Sequence, residues 1–517
     1  MNTLLNNLKN ETNYTYTENM ALTHKTSMSG LLDLFGMGAA YRKRTDEDCI
    51  YLFMKAFKED PTYALKCLFY LRDVRGGQGE RRFFRVVCKY LAAKETEAMK
   101  RNLQYVPEYG RYDDWYVFIG TPLEKPMFEL MKSQLAADMQ SYDKSSKEAI
   151  SLLAKWLKSE NTSSLESRSL ANKTRIAFGM THKQYRKTLS LLRERINVLE
   201  RLMSAGKWDE IEFDKIPSKA GMQYRNAFAR HDIERMKSEK EVRSYEDFIK
   251  DEKTTVNAKT LYPYEVVSQA YNYTRNEFDW WGRGNNLTDK LDDVERLAIN
   301  KYWDNLEDVL KGYSFNGLCV CDTSGSMWGT EASAPINVAI SLALYCAEKA
   351  QGPFHGHYIS FSSRPQLIET SGIDFVDKVK RIYSTNLCEN TNIEATFDLV
   401  LNTAIKNHVP QSEMPENLII ISDMEFDYQR GRYGVSTNTL MENIEMKWEQ
   451  AGYKMPNLVY WNVDARNPQG NIPMTVKDGV SLISGFSPTL FLQIMKGVTA
   501  EQLVFDKLNE ERYAPIH

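Results

Sequence analysis

The stretch Asp322-Thr323-Ser324-Gly325-Ser326 constrains this chain more than any other, because of what flanks it. Before it runs Gly317-Leu318-Cys319-Val320-Cys321, a short apolar segment of the kind that forms a buried parallel strand. After it, Pro335 opens a stretch in which Ile336, Ala339, Ile340, Ala343, Leu344 and Ala347 recur at helical spacing. One loop at the carboxyl end of a strand thus delivers a carboxylate and two hydroxyls, where open α/β sheets bind ligands. Hard oxygen donors around a compact site suit Mg²⁺, with Mn²⁺ as a near substitute. Taken alone, the five residues are also compatible with Asp322 simply capping the helix that follows.

Two later segments extend the pattern. Glu389-Asn390-Thr391-Asn392 precedes a helical pattern and offers the Thr391 hydroxyl, and Leu418-Ile419-Ile420-Ile421-Ser422-Asp423 reads as a central strand ending in an acid. In that order, Asp322, Ser324, Ser326, Thr391 and Asp423 resemble the metal-ion-dependent adhesion site of von Willebrand factor A domains, over roughly residues 310–517. The resemblance implies that Ser324, Ser326 and Thr391 are direct ligands and that Asp322 and Asp423 often act through water. It also implies one open coordination position, which a partner's carboxylate or another oxygen can fill.

With 517 residues, the chain is too long for one ordinary core, so two or more domains are expected. No run of about eighteen apolar residues occurs, so no membrane span is expected. The opening Met1-Asn2-Thr3-Leu4-Leu5-Asn6-Asn7-Leu8 lacks the apolar core of a signal peptide. Seven scattered cysteines give no disulfide framework, which fits a reducing, cytoplasmic interior. Ser-His-Asp, Cys-His and zincin patterns are missing. A single Mg²⁺ held by hydroxyls also lacks the paired metals and positioned base of phosphoryl chemistry, so an enzyme is not expected.

The apolar periodicity divides the chain into a polar arm over 1–28, a helical domain with a connecting region over 29–310, and an α/β domain over 311–517. Helices joined by short turns suggest stacked pairs of the HEAT-like kind, as a ring or solenoid. In the last part, strands expected at 317–322, 357–362, 417–422, 457–463 and 479–484 alternate with helices expected at 335–350, 392–407, 437–450 and 489–497. That alternation implies a doubly wound, mostly parallel sheet.

Charge is uneven. Residues 1–310 carry 50 Lys and Arg against 46 Asp and Glu, whereas residues 311–517 carry 16 against 23. Within the helical part, residues 151–230 hold 16 basic and 8 acidic side chains. Leu71-Arg72-Asp73-Val74-Arg75-Gly76-Gly77-Gln78-Gly79-Glu80-Arg81-Arg82 combines glycines and arginines ahead of a helical segment. It reads either as a phosphate-binding loop or as an inter-helix turn whose charges pair locally. Cations interleaved with Trp, Tyr and Phe follow, in Ala154-Lys155-Trp156-Leu157, Lys173-Thr174-Arg175 and His182-Lys183-Gln184-Tyr185-Arg186-Lys187. Single-stranded nucleic acid is held in that way, cations on phosphates and rings on bases. The expected contributors to one concave basic surface are Arg81, Arg82, Lys155, Lys173, Arg175, Lys183, Arg186 and Lys187.

Together with Val106-Pro107-Glu108-Tyr109-Gly110-Arg111 and Ile216-Pro217-Ser218-Lys219, the order of these segments ahead of an A-type domain resembles the Ro autoantigen-related family. These are the TROVE-plus-A-domain proteins, and the similarity is nearest to their widespread uncharacterised branch. The resemblance implies a HEAT-like ring closed by the A domain, holding single-stranded RNA ends in its hole and structured small RNAs on its outer face. The alternative is a metal-dependent protein-interaction module, in which a partner's acidic residue joins the metal and the helices only present it.

Overall fold

The computed structural model describes residues 12–144, 150–238, 241–270, 291–312, 314–329, 331–349, 351–361, 364–384, 392–427, 440–467, 471–473, 479–494 and 499–517. Between Lys25 and Gly312 the described residues form α- and 3₁₀-helices and turns, without a strand. The local signals explain this. Helix Asp46–Glu59 starts on a capping box between Thr45 and Asp48, carries three acids in its first turn, and buries Cys49, Leu52, Phe53 and Ala56 at helical spacing. Asp60 caps the next helix, Pro61–Arg72, by accepting from the Tyr63 amide, with Pro61 at its first position. That helix is buried nearly all round, from Ala64 to Arg72, because its neighbours include both helical and α/β elements.

The carboxyl-terminal half is a six-stranded sheet. Its strands are β3 (Gly317–Asp322), β4 (His357–Phe361), β5 (Gln366–Glu369), β6 (Asn417–Ser422), β7 (Asn457–Asn462) and β8 (Val480–Ser484). They lie in the order β5-β4-β3-β6-β7-β8, with all pairs parallel except β4 with β5. The order of strand connection reverses between β3 and β6, which places at their carboxyl ends the kind of crevice where doubly wound folds bind ligands. The central strand β6 is buried throughout, as its unbroken Leu-Ile-Ile-Ile run requires.

Two strand pairs were not foreseen. β5 is an exposed antiparallel edge with only Leu367 and Ile368 as apolar residues, too short for periodicity to register. In the polar arm, β1 (Tyr14–Tyr16) and β2 (Leu22–His24) form a three-residue antiparallel ladder. The expected helix over 437–450 is described over Leu440–Gln450, and that over 489–497 as a 3₁₀ turn, Pro488–Leu490, leading into Phe491–Ile494; residues 437–439 and 495–497 fall outside the described residues.

The two halves interlock at several places. The arm lies along the α/β half: Thr17 Oγ1 donates to the Phe426 carbonyl at 2.7 Å, and His24 and Ile472 exchange backbone hydrogen bonds of 3.2 and 2.9 Å. Past helix Gly30–Met37, the Ala39 amide donates to Ser484 Oγ at 3.2 Å. At the far end of the helical half, the Trp303 ring stacks on Phe375 at 4.2 Å, and Arg296 pairs with Asp374 at 2.8 Å. Residues following helix Ala500–Leu508 return to the first helices, where the His517 amide donates to Asn102 Oδ1 at 3.1 Å. The helical half also meets itself. Gly79, at φ +63°, faces Tyr262 so closely that a Cβ there would fall 2.1 Å from the phenol oxygen.

Candidate metal centre and cationic cavity

Asp322 is the last residue of β3 and Asp423 follows the last residue of β6, so the parallel pairing of these strands sets both carboxylates at the crevice. Ser422 Oγ donates to Asp322 Oδ2 at 2.5 Å, and the Ser324 amide donates to Oδ1 at 2.9 Å. The Ser324 and Ser326 hydroxyls lie 3.1 Å apart. Asp322, Ser324 and Asp423 are buried. Burial, and then the neighbouring Asp423, push the Asp322 carboxyl up to about 7. Asp423 Oδ2 is buried without a hydrogen-bond partner, and Arg466 Nη1 stands 3.5 Å from it.

This set fits a small hard cation. Two adjacent buried carboxylates with one orphaned oxygen need positive charge, and two facing hydroxyls supply neutral donors. Among the described residues no cluster of three or more His, Cys, Asp or Glu has metal-ligand placement, so a cation here depends on the hydroxyls. Four of the five expected residues, Asp322, Ser324, Ser326 and Asp423, come together. Thr391 lies outside the described residues.

No motif marks the residues that roof this site. Lys43, from the helical half, bridges Glu331 at 3.1 Å and Asp464 at 3.4 Å. Met37 and Tyr41 close a small polar cavity over Asp423, Glu425 and Arg466. Burial pushes the Glu425 carboxyl up to about 7, and its Oε2 accepts from the Glu18 amide at 2.6 Å. Arg466 also pairs with Glu18 at 2.9 Å, which ties the arm to the metal face. The Ser326 side is more open, with Gly325 exposed and Ser326 half-buried.

In the helical half lies a cavity of about 1190 Å³, walled by segments from Arg72 round to Tyr262. Ten Lys and Arg side chains line it, against two carboxylates, Glu160 and Glu200. From the first helices come Arg72, Arg75, Arg81 and Arg111; from the middle, Lys155, Lys158, Arg186 and Arg193; from the far side, Arg201 and Lys219. The middle wall is fixed by Arg193, whose guanidinium donates to the carbonyls of Ala154 at 2.8 Å and Leu157 at 2.7 Å and to Ser159 Oγ at 2.8 Å. That clasp holds Lys155, Trp156 and Lys158 towards the cavity, and Arg111 stacks on the Trp156 ring at 4.0 Å.

Of the eight cations expected on one concave surface, Arg81, Lys155 and Arg186 line this cavity. Arg82 does not: it is turned to Asp46, at 2.5 Å. Arg175 is held by Glu160 at 3.1 Å and by the Met180 carbonyl at 2.9 Å. Lys173, Lys183 and Lys187 are exposed off the cavity wall. Of the turn Lys183-Gln184-Tyr185-Arg186-Lys187, Tyr185 is buried and, with Arg186, lines the cavity, so the flanking lysines project elsewhere. In the Arg72-to-Arg82 loop the charges pair, Arg72 with Asp114, Asp73 with Arg512 and Glu80 with Arg42, while Arg81 opens to the cavity.

A helical half joined to a doubly wound α/β domain, with carboxylates and hydroxyls gathered at the central strand ends, is the class this architecture defines. Residues 17–109 and 157–313 match the Domain of unknown function (DUF2828), and residues 316–514 match the Domain of unknown function (DUF7788). Uncharacterized protein L728 of Acanthamoeba polyphaga mimivirus is 32% identical over 512 residues, covering 93% of this chain and 85% of the relative. The chain belongs to the family of that protein, which it matches through both halves. Among solved structures, the Deinococcus radiodurans RO (RSR) protein aligns over 93% of this chain and 99% of that one, at 12% identity and a TM-score of 0.44, too loose a likeness to carry residue roles.

Proposed function

We propose that this protein is a binding scaffold for single-stranded RNA, held in the cationic cavity of the helical half, with an Mg²⁺-binding α/β domain closing the ring. One observation carries the reading: ten cationic side chains line one cavity of about 1190 Å³, and five of them, Arg75, Arg81, Lys155, Lys158 and Arg193, meet no carboxylate at ion-pair distance among the described residues. Such an excess is what a phosphate backbone compensates, and Trp156 on the same wall offers a ring at the height of a base. The net charge of the whole chain is −3, so the attraction is local to the cavity and not a property of the outer surface. Mg²⁺, where bound, would supply the positive charge that Asp322 and Asp423 lack.

The rival is a partner protein that lends a carboxylate to the metal. Lys43, Met37 and Tyr41 cover the Asp423 side, so such a partner has to approach from Ser326. RNA titrations against the intact protein at low salt, with and without chelator, separate the two. The scaffold reading requires RNA binding that weakens steeply with salt and survives loss of the metal, and absence of RNA binding at low salt overturns it.

A further inference from the structure

One corner of the cavity differs from the rest. Elsewhere the cations stand singly, with one carboxylate or none: Arg186 faces Glu160 at 3.9 Å, Arg201 pairs with Glu194 at 3.0 Å and Lys219 with Glu265 at 2.6 Å, while Lys155 and Lys158 have no carboxylate at ion-pair distance among the described residues. Beside Arg81, three guanidiniums share two carboxylates. Arg72 and Arg85 grip opposite oxygens of Asp114, at 2.9 and 2.7 Å from their Nε atoms. Arg111 forks onto Asp113 at 2.8 and 2.7 Å, and Arg85 adds a contact to Asp113 at 3.1 Å. All four carboxylate oxygens are thereby engaged. Arg81 has no carboxylate in contact among the described residues.

The neutralised part of this network is the floor. Asp114 is 0% exposed, Arg72 2% and Asp113 8%, whereas Arg81 is exposed within the cavity. The floor is also rigid, because Gly110 presses its backbone on it: a Cβ there would fall 2.3 Å from Asp114 Oδ2 and 2.9 Å from Arg72 Nε. Desolvation, and then the charges of Arg111, Arg85 and Arg72, lower the pKa of Arg81, which marks a cation short of an anion. Four guanidiniums less two carboxylates leave two positive charges, presented from a fixed base.

We infer that the Arg81 corner is a subsite for a terminal phosphomonoester, the phosphorylated end of an RNA strand rather than its internal backbone. This deepens the scaffold reading and rests on it. An internal phosphodiester carries one negative charge and is matched by a lone lysine such as Lys155 or Lys158. A phosphomonoester carries about 1.5 to 2 at neutral pH and has three acceptor oxygens. It fits two unmatched charges and the planar fork that Arg81 has free. Both the 5′- and the 3′-phosphate share this chemistry.

The test uses full-length protein and one oligoribonucleotide of about ten nucleotides, a length within the range single-strand sites cover. Three forms of it are compared by fluorescence polarisation: 5′-phosphorylated, 3′-phosphorylated and hydroxyl at both ends. One phosphorylated form is expected to bind about tenfold tighter than the hydroxyl form, the scale of a charge-assisted hydrogen-bond pair, and which form does so identifies the end. Arg81→Gln should abolish that advantage; the hydroxyl-ended strand weakens as well, by the loss of one phosphate contact, so the ratio between phosphorylated and hydroxyl forms is the quantity that is read. Arg81→Lys should keep only part of the advantage, because an ammonium does not fork. Equal affinity for all three forms, or an advantage that persists in Arg81→Gln, overturns the subsite and leaves the scaffold standing. Failure of every form to bind overturns the scaffold and the subsite with it.

Discussion

Arg512 reaches across 439 residues of sequence to Asp73 and donates to both of its carboxylate oxygens, one from Nε and the other from Nη2 at 2.7 Å. Asp73 is 0% exposed, and the Tyr513 hydroxyl donates to it as well, at 3.0 Å. The contact lashes the end of the α/β half to the loop from which the cavity's arginines spring. Arg512→Ala should destabilise the protein by about 2–3 kcal/mol, the range for hydrogen bonds to a buried charge, since Tyr513 and the Arg75 amide remain. Thermal melting reads this out, and an unchanged melting temperature would show the clasp to be incidental.

Arg72→Met removes a 2% exposed guanidinium from the 0% exposed Asp114. Asp114 keeps Arg85 on its other oxygen at 2.7 Å, so the loss should cost about 1.5–3 kcal/mol, the range for hydrogen bonds to a charged group. Restoring most of that stability in an Arg72→Met, Asp114→Asn double variant, which keeps an acceptor for Arg85, would assign the cost to the half-paired carboxylate. A double variant no better than the single one would assign it to packing.

Ser324→Ala with Ser326→Ala should remove the Mg²⁺ response and spare the fold. In the parent, Mg²⁺ at about 100 times its Kd should stabilise by about 2.7 kcal/mol. The pH dependence has a defined sign. The Asp322 carboxyl is raised to about 7 in the folded, metal-free protein. Its contribution to metal-free stability is therefore full below the pH at which an unfolded carboxyl titrates, and it is lost as pH climbs through about 7. Mg²⁺ takes the deprotonated form, so its affinity should fall about tenfold per pH unit below that point, with a proton released on binding. Calorimetry in buffers of different ionisation enthalpy measures that proton.

Replacing Lys155 and Lys158 by Gln should lower the slope of log affinity against log salt for single-stranded RNA by about 1.4, or 0.7 per lost phosphate contact. Reversing Lys183 and Lys187 to Glu should change the affinity less than twofold, roughly what distant screened charges contribute. A larger effect from the second pair than from the first would move the RNA to the outer face.

What the sequence disclosed was local and periodic. The strand ends at Asp322 and Asp423 were legible because a parallel strand buried on both faces has to be an unbroken apolar run, and its chemistry sits where the run stops. The helical half was legible from apolar stretches separated by short polar turns, and the caps at Thr45, Asp48 and Asp60 are the local chemistry beneath that pattern. The cavity was legible only as a charge excess. Which cations face inward depends on helix rotation and on partners remote in sequence: Asp46 draws Arg82 away, Glu160 claims Arg175, and Arg193 holds the wall together with no motif to mark it. The roof over the metal face was hidden for the same reason, since Lys43 and Asp464 meet only once both halves are folded.

Residues 511–517 are synthesised after everything they hold. Until Arg512 and Tyr513 emerge, Asp73 has no counter-charge for a position that the finished fold leaves wholly without water. The burial of Asp73 is thus tied to residues made 439 positions later, and the arginine loop reaches its final charge balance only with them.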